Sequence, residues 1–173
     1  MEYFNNNANK NFLKPLQIHR LYIPDNILKE TEHYLKEHGL KGMEGLVFWS
    51  GILTKKNQGV ITSCIYPKQK SSSISVDVDL NESARIHYLL FERNEFLFVQ
   101  VHSHPGSAFH SIIDDNYPMT HKPGFFSIVV SSYALYGLKG LSGCEVFEYQ
   151  GNGKWRRLTH KEVNNRFVIR RDG

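Results

Sequence analysis

The segment Phe96–His102 (FLFVQVH) is apolar at almost every position. A strand of this composition is buried on both faces, so other elements must cover both sides of its sheet. Pro105 and Gly106 follow closely, and because proline cannot donate to a strand ladder, the strand is expected to end there. The chain is therefore predicted to contain a central strand in a sheet that helices cover.

Other strands and helices are predicted from apolar periodicity and from turn residues. The predicted elements are a helix at Pro24–His38, strands at Gly45–Leu53 and Gly59–Tyr66, a polar connection at Lys68–Ser75, a helix at Asn81–Arg93 capped by Asn81 or Ser83, a strand at Phe125–Val130, and strands at Cys144–Gln150 and Lys154–Leu158 joined by a hairpin at Gly151–Gly153. The fold class is α+β, with a curved, mostly antiparallel sheet flanked by helices.

Length and composition favour one globular domain at 15–170, after a flexible, Asn-rich N-terminus at 1–14. The chain has 173 residues and a formal charge of +4, and its basic residues are scattered apart from Lys154–Arg157 and Arg166–Arg171, which are interpreted as a solvated face and a basic tail. Neither a nucleic acid nor a membrane is therefore an expected partner. The two cysteines, Cys64 and Cys144, lie far apart and predict no disulfide, and no signal peptide precedes them, so a cytoplasmic location is expected.

The segment that contains the candidate catalytic and metal-binding residues is VHSHPGSAFHSIIDD, Val101–Asp115. His102 and His104 are two residues apart at the end of a strand, so both imidazoles project from one face and Ser103 points the other way. Two such rings can converge on one metal ion at about 2 Å. The pair therefore predicts a metal site at this end of the strand.

A third ligand is predicted from the residues that follow. Ser111 and Asp114 share a face if the segment forms a helical turn, and Asp115 competes with Asp114 for the same role. Two histidines and a carboxylate leave one position open for water, as in catalytic zinc sites. The same ligand types also occur in iron oxygenases. His110 and His121 are interpreted as neighbouring residues rather than ligands.

The string HSHP–x5–S–x2–D closely resembles the JAMM motif of the JAB/MPN metalloproteases. That family pairs the motif with a glutamate before a buried strand, which here is Glu44 in GMEGLVFWSG, with Gly51 seven residues later. The resemblance extends over roughly Gln17–Leu158 and implies a single, cytidine-deaminase-like domain. One difference is that many members have one more residue between the proline and the serine.

The resemblance implies a role for each motif residue. His102, His104 and Asp114 would bind Zn²⁺, and Ser111 would hydrogen-bond the tetrahedral intermediate. Glu44 would take a proton from the attacking water and deliver one to the leaving amine. Without the resemblance, an isolated glutamate before an apolar strand is interpreted as a charge at the rim.

The segments EGLVFWSG, AFHSIIDD and PGFFSIVV are most similar to small bacterial JAB proteins that accompany ubiquitin-like conjugation, some of them in phage-defence operons. This similarity implies cleavage after the C-terminal glycine of a ubiquitin-like protein, with E1/E2-like conjugation enzymes as further partners. Two alternatives are a general peptidase of cell-wall or small peptides and an inactive MPN scaffold. The full motif set argues against the scaffold, because scaffolding members usually lose ligands.

Overall fold

The computed structural model describes residues 15–108 and 119–170. Its elements are β1 (Arg20–Pro24), α1 (Asp25–Gly39), β2 (Leu46–Leu53), β3 (Gln58–Ile65), β4 (Lys70–Ser71), β5 (Val76–Asp77), α2 (Leu80–Glu92), β6 (Phe96–Ser103), β7 (Phe126–Val130), two short 3-10 turns at Ser132–Ala134 and Lys139–Leu141, β8 (Cys144–Gly151), β9 (Lys154–Arg157), α3 (His160–Arg166) and β10 (Phe167–Arg170). The N-terminal segment 1–14 lies outside the described residues. No helix in the described part is both long and apolar enough to cross a bilayer.

Eight strands join in one mixed sheet, in the order β10-β1-β3-β2-β6-β7-β8-β9. Four pairings are antiparallel, namely β2–β3, β2–β6, β7–β8 and β8–β9, and the other three are parallel. Register shifts in β2 bend the sheet, which curls into a half-barrel. The α+β class with a curved, mainly antiparallel sheet is confirmed.

Helices cover the sheet from both sides. α2 packs through Ile86 and Leu90 on a cluster that includes Phe48, whereas Leu35 of α1 and Val163 of α3 belong to the larger cluster on the other face. β6 lies in the middle of the sheet and is buried at every residue from Leu97 to Ser103. The prediction of a central strand covered on both faces is confirmed.

Some predicted boundaries need correction. The cap of α2 is Asp79, whose side chain accepts a hydrogen bond from the Glu82 N–H at 2.9 Å, so the prediction of Asn81 or Ser83 is wrong. The reason is that Asp79 has an extended backbone and precedes the first helical residue, which is where an acceptor can reach the free N–H groups. The predicted polar connection at Lys68–Ser75 contains β4 and leads into β5.

Gly51 lies at the register shift in the antiparallel pairing of β2 with β3. A Cβ atom at this position would lie 1.9 Å from the Val60 carbonyl oxygen, which belongs to the backbone of the paired strand. Only glycine permits this close approach without moving the strand. The glycine seven residues after Glu44 therefore has a packing reason in this chain.

A buried carboxylate joins three strands at the start of β6. Glu95 is 8% exposed and accepts hydrogen bonds from the hydroxyls of Ser50 and Thr62, each at 2.7 Å. The Ser63 hydroxyl is a third, longer donor at 3.5 Å. The carboxylate thus provides an acceptor for the buried Ser50 hydroxyl and links it to two hydroxyls of β3 that are less buried.

Replacement of Glu95 by alanine is expected to lower the free energy of unfolding by about 1–3 kcal/mol, because the buried Ser50 hydroxyl loses its acceptor. Urea denaturation of wild type and variant measures the change. The matched control is Glu92→Ala at an exposed position of α2, which is expected to change stability by less than about 0.5 kcal/mol. Equal unfolding midpoints for Glu95→Ala and wild type would contradict the stabilising role of the carboxylate.

Candidate metal centre and active site

His102 and His104 lie together at the C-terminal end of β6. Their side chains are buried, with 2% and 5% of the residue surface exposed. The two rings have centroids 5.0 Å apart and planes inclined by 49°. Strand alternation puts both rings on the face that α2 covers, as the spacing predicts.

The backbone around His104 is held from two directions. Its N–H donates to the Val130 carbonyl at 2.9 Å, and its own carbonyl accepts from the Tyr133 N–H at 2.8 Å. Ser103 points to the opposite face, where its hydroxyl accepts from the Gly45 N–H at 3.1 Å. Ser103 therefore contributes to the β2–β6 pairing, and its hydroxyl is used in a bond to the backbone.

Glu44 reaches the same region through the pairing of β2 with β6. Leu46 lies opposite His102, and the Ser103 N–H donates to the Gly45 carbonyl at 3.0 Å. Glu44 directly precedes Gly45, and its own N–H donates to the Ser72 carbonyl at 2.8 Å rather than to β6. Glu44 is only 4% exposed. The pairing therefore brings a residue with a buried carboxyl group to the end of the sheet where the two histidines lie.

Three polar residues that were not predicted as site residues, Gln69, Tyr34 and His38, form hydrogen bonds at the start of β2. The Gln69 side chain accepts from the Leu46 N–H at 3.0 Å and donates to the Tyr34 hydroxyl at 2.8 Å. Its nitrogen also lies 3.1 Å from Nε2 of His38. Burial raises the pKa of the Tyr34 hydroxyl, and the charge of the nearby Cys64 thiolate would raise it further. Tyr34 thus stays a neutral hydrogen-bonding partner near neutral pH.

The histidine pair suits a zinc ion. Two imidazoles on one tetrahedral zinc, each bonded at about 2 Å, place their ring centres roughly 5 Å apart. The observed separation of 5.0 Å agrees with this value. Buried imidazole nitrogens are a donor type of catalytic zinc sites.

The remaining motif residues, His110, Ser111, Asp114 and Asp115, lie outside the described residues. Within 15–108 and 119–170, no group of three or more His, Cys, Asp and Glu side chains is arranged to hold a metal. The three-ligand set with Asp114, and the choice between Asp114 and Asp115, therefore stay predictions.

Three ring-bearing side chains outside the metal-binding motif have structural partners. His121 is exposed, and its Nδ1 lies 3.2 Å from the Tyr149 hydroxyl. Trp49 is fully buried and donates to the Thr31 hydroxyl at 2.8 Å. Trp155 packs edge-on against Tyr149, with ring centroids 5.0 Å apart. The two tryptophans thus pack in the core and at the hairpin.

Comparison with known proteins gives one curated relative and structural neighbours. A Sinorhizobium fredii protein named "Probable metalloprotease" is 32% identical over 116 residues, which cover 65% of this chain and 71% of that protein. A solution structure of a Desulfitobacterium hafniense protein matches with a TM-score of 0.60 and 11% identity, covering 88% of this chain and 94% of its own. A JAB1/MPN domain protein from Archaeoglobus fulgidus gives a TM-score of 0.49 and 14% identity, with coverage of 88% and 98%. No protein-family model matches the chain.

The Desulfitobacterium neighbour supports the fold alone, because its identity is low. The Sinorhizobium relative supports membership of its family, since the two sequences are similar over most of that protein's length. The similarity to this relative indicates a protein of the metalloprotease class. The chain belongs to the JAB/MPN metalloprotease family, and its function is of the peptidase type.

Proposed function

We propose that the chain is a JAMM-type zinc isopeptidase or peptidase that cleaves after the C-terminal glycine of a ubiquitin-like protein. The observation that carries this proposal is that the buried imidazoles of His102 and His104 lie with ring centroids 5.0 Å apart at one end of β6, while the buried carboxyl group of Glu44 belongs to the residue next to Gly45, which hydrogen-bonds Ser103. The biological setting we propose is a bacterial conjugation system with E1/E2-like enzymes, of the kind found in phage-defence operons.

In this proposal His102, His104 and Asp114 hold Zn²⁺. When bound there, zinc supplies Lewis acidity, which makes water a nucleophile near neutral pH. The burial of both imidazoles supports the assignment, because a metal site closed to bulk solvent keeps its ligands oriented and its charges effective.

Glu44 performs the proton transfers. Its carboxylate accepts a proton from the attacking water, and the resulting acid donates a proton to the departing amine, so that nitrogen leaves as a neutral amine. Burial of Glu44 and its place next to Gly45, which hydrogen-bonds the Ser103 that separates the two histidines, support this role. The Ser111 hydroxyl donates a hydrogen bond to the oxyanion of the tetrahedral intermediate.

The short β4–β5 ribbon favours an extended peptide as substrate. The Glu44 N–H donates to the carbonyl of Ser72, the residue directly after β4, at 2.8 Å. β4 and β5 form a sheet of their own with two strands, which leaves each strand an outer edge among the described elements. An extended tail can add to such an edge through main-chain hydrogen bonds, and a terminal glycine fits where a side chain would clash.

The test is a fusion of the genomically adjacent ubiquitin-like protein to a reporter, incubated with the purified zinc-loaded chain and analysed by intact mass. We expect cleavage directly after the terminal glycine. A peptide that contains only the tail should be cleaved much more slowly, because contacts with the folded body of the partner supply orientation energy.

The control for this test is the Glu44→Gln variant, which should leave the fusion intact, whereas Glu92→Gln, an exposed change on α2, should cleave like wild type. Zinc-dependent turnover of short unrelated peptides without cleavage of the fusion would favour the general-peptidase alternative. A zinc-loaded chain that cleaves neither substrate would favour the scaffold alternative.

A further inference from the structure

A strained turn lies directly behind the histidine pair. Ser132, Tyr133 and Ala134 have backbone φ values of 51°, 52° and 59°, in the left-handed region that residues other than glycine rarely adopt. Three such residues in succession persist only where surrounding contacts determine the conformation. Since none of the three is glycine, the contacts of this turn must compensate for the strain.

The backbone contacts of the turn are with the HSHP segment. The Tyr133 N–H donates to the His104 carbonyl at 2.8 Å, and the Ser132 N–H donates to the Gly106 carbonyl at 2.8 Å. These bonds hold the chain on both sides of Pro105, directly after the second predicted ligand. The left-handed conformation of the turn and the position of His104 are therefore coupled.

The side chain of Tyr133 reaches the chain segments that hold Glu44. Its hydroxyl donates to the Ser73 carbonyl at 2.8 Å and lies 3.3 Å from the Gly42 carbonyl oxygen. Ser72, next to Ser73, accepts the Glu44 N–H at 2.8 Å, and Gly42 precedes Glu44 by two residues. One residue thus connects the backbone of His104 to the two loops on either side of Glu44.

The end of α1 fixes Tyr133 from a third direction. A Cβ atom at Gly39 would lie 2.4 Å from Cβ and 2.7 Å from the carbonyl oxygen of Tyr133. The backbone of α1 therefore packs directly against Tyr133, and any side chain at Gly39 would displace the turn. The contact leaves Tyr133 little freedom to move.

We infer that Tyr133 is a positioning residue that sets the distance between Glu44 and the His104 ligand. The inference rests on the proposed function. Glu44 precedes the first residue of β2, so the strand ladder alone does not fix its place. A proton carrier misplaced by about 1 Å loses much of its rate advantage, so a link from Tyr133 to the Glu44 loops acts on turnover rather than on substrate binding.

The experiment compares Tyr133→Phe with the matched control Tyr136→Phe, at a position that is 74% exposed. For Tyr133→Phe we expect kcat to fall about tenfold or more, with KM within about twofold of wild type and with unchanged zinc content and Tm. Hydrogen exchange at the Glu44 amide should accelerate, because the Ser73 carbonyl, next to the acceptor Ser72, loses its bond to the Tyr133 hydroxyl. Tyr136→Phe should match wild type in each measurement.

A second variant separates positioning from strain. Tyr133→Gly relieves the left-handed backbone but removes the hydroxyl link, so it should lose turnover like Tyr133→Phe. If both variants keep wild-type kcat and wild-type exchange at Glu44, the inference is wrong. The exchange measurement does not require activity. If the wild-type chain is inactive, the proposed function is contradicted. Faster exchange at Glu44 in the variants would still show that Tyr133 holds the loops around Glu44.

Discussion

Replacement of both His102 and His104 by alanine is expected to abolish zinc binding and peptidase turnover together. The two imidazoles are the nitrogen donors of the proposed site, and a single carboxylate does not retain zinc at micromolar protein concentration. Zinc should fall from about one ion per chain to less than about a tenth, and kcat/KM should fall by more than about 10⁴-fold. Elemental analysis of the purified protein and a fusion-cleavage assay measure the two effects.

The matched control for this variant is the pair His33→Ala and His87→Ala, two exposed histidines on α1 and α2. This control should keep full zinc content and full turnover, and circular dichroism should show that both double variants remain folded. Full zinc occupancy in the His102→Ala, His104→Ala protein would show that the metal is bound elsewhere.

The second large effect is expected from Glu44→Gln. Glutamine has the same shape but cannot accept a proton, so the fold and zinc content should be retained while kcat falls about 10²–10⁴-fold. Steady-state kinetics on the fusion substrate and elemental analysis of the same preparation separate chemistry from metal binding. Wild-type turnover in a zinc-loaded Glu44→Gln protein would mean that another residue carries the proton.

The histidine half of the site follows from the sequence because strand alternation is a local rule. Two histidines at i and i+2 in a strand share a face wherever that strand lies, and the opposite orientation of Ser103 follows from the same rule. The apolar run before them also predicts a central strand. Both expectations match the buried β6 and its backbone contact from Ser103 to Gly45.

The other half of the site depends on pairings between distant segments. Gly45 and Ser103 are 58 residues apart, and Tyr133 and Ser73 are 60 residues apart. Local periodicity contains no information on which strands become neighbours, so Glu44 could be selected only through the family motif. The left-handed turn at Ser132–Ala134 contains no glycine, so the sequence does not predict it. Tertiary contacts override the local preference of its residues.

The missed elements differ in how far the sequence could have predicted them. α3 begins with a capping box, in which Thr159 and Glu162 exchange hydrogen bonds with each other's backbone, and this pattern is visible in the sequence. β1 and β10 are short, and they pair in parallel at one end of the sheet. Parallel partners far apart in the chain leave no hairpin signal.

The most direct test of the zinc-peptidase assignment is a crystal structure of the zinc-loaded protein with anomalous diffraction measured on both sides of the zinc absorption edge. The assignment predicts one anomalous peak per chain, within about 2.3 Å of nitrogen atoms of His102 and His104 and of a carboxylate oxygen of Asp114, with the Glu44 carboxylate beside the open position but not ligating. Ligation by Asp115 would correct the third ligand alone. A zinc peak away from both histidines, or none at full zinc loading, would contradict the assignment.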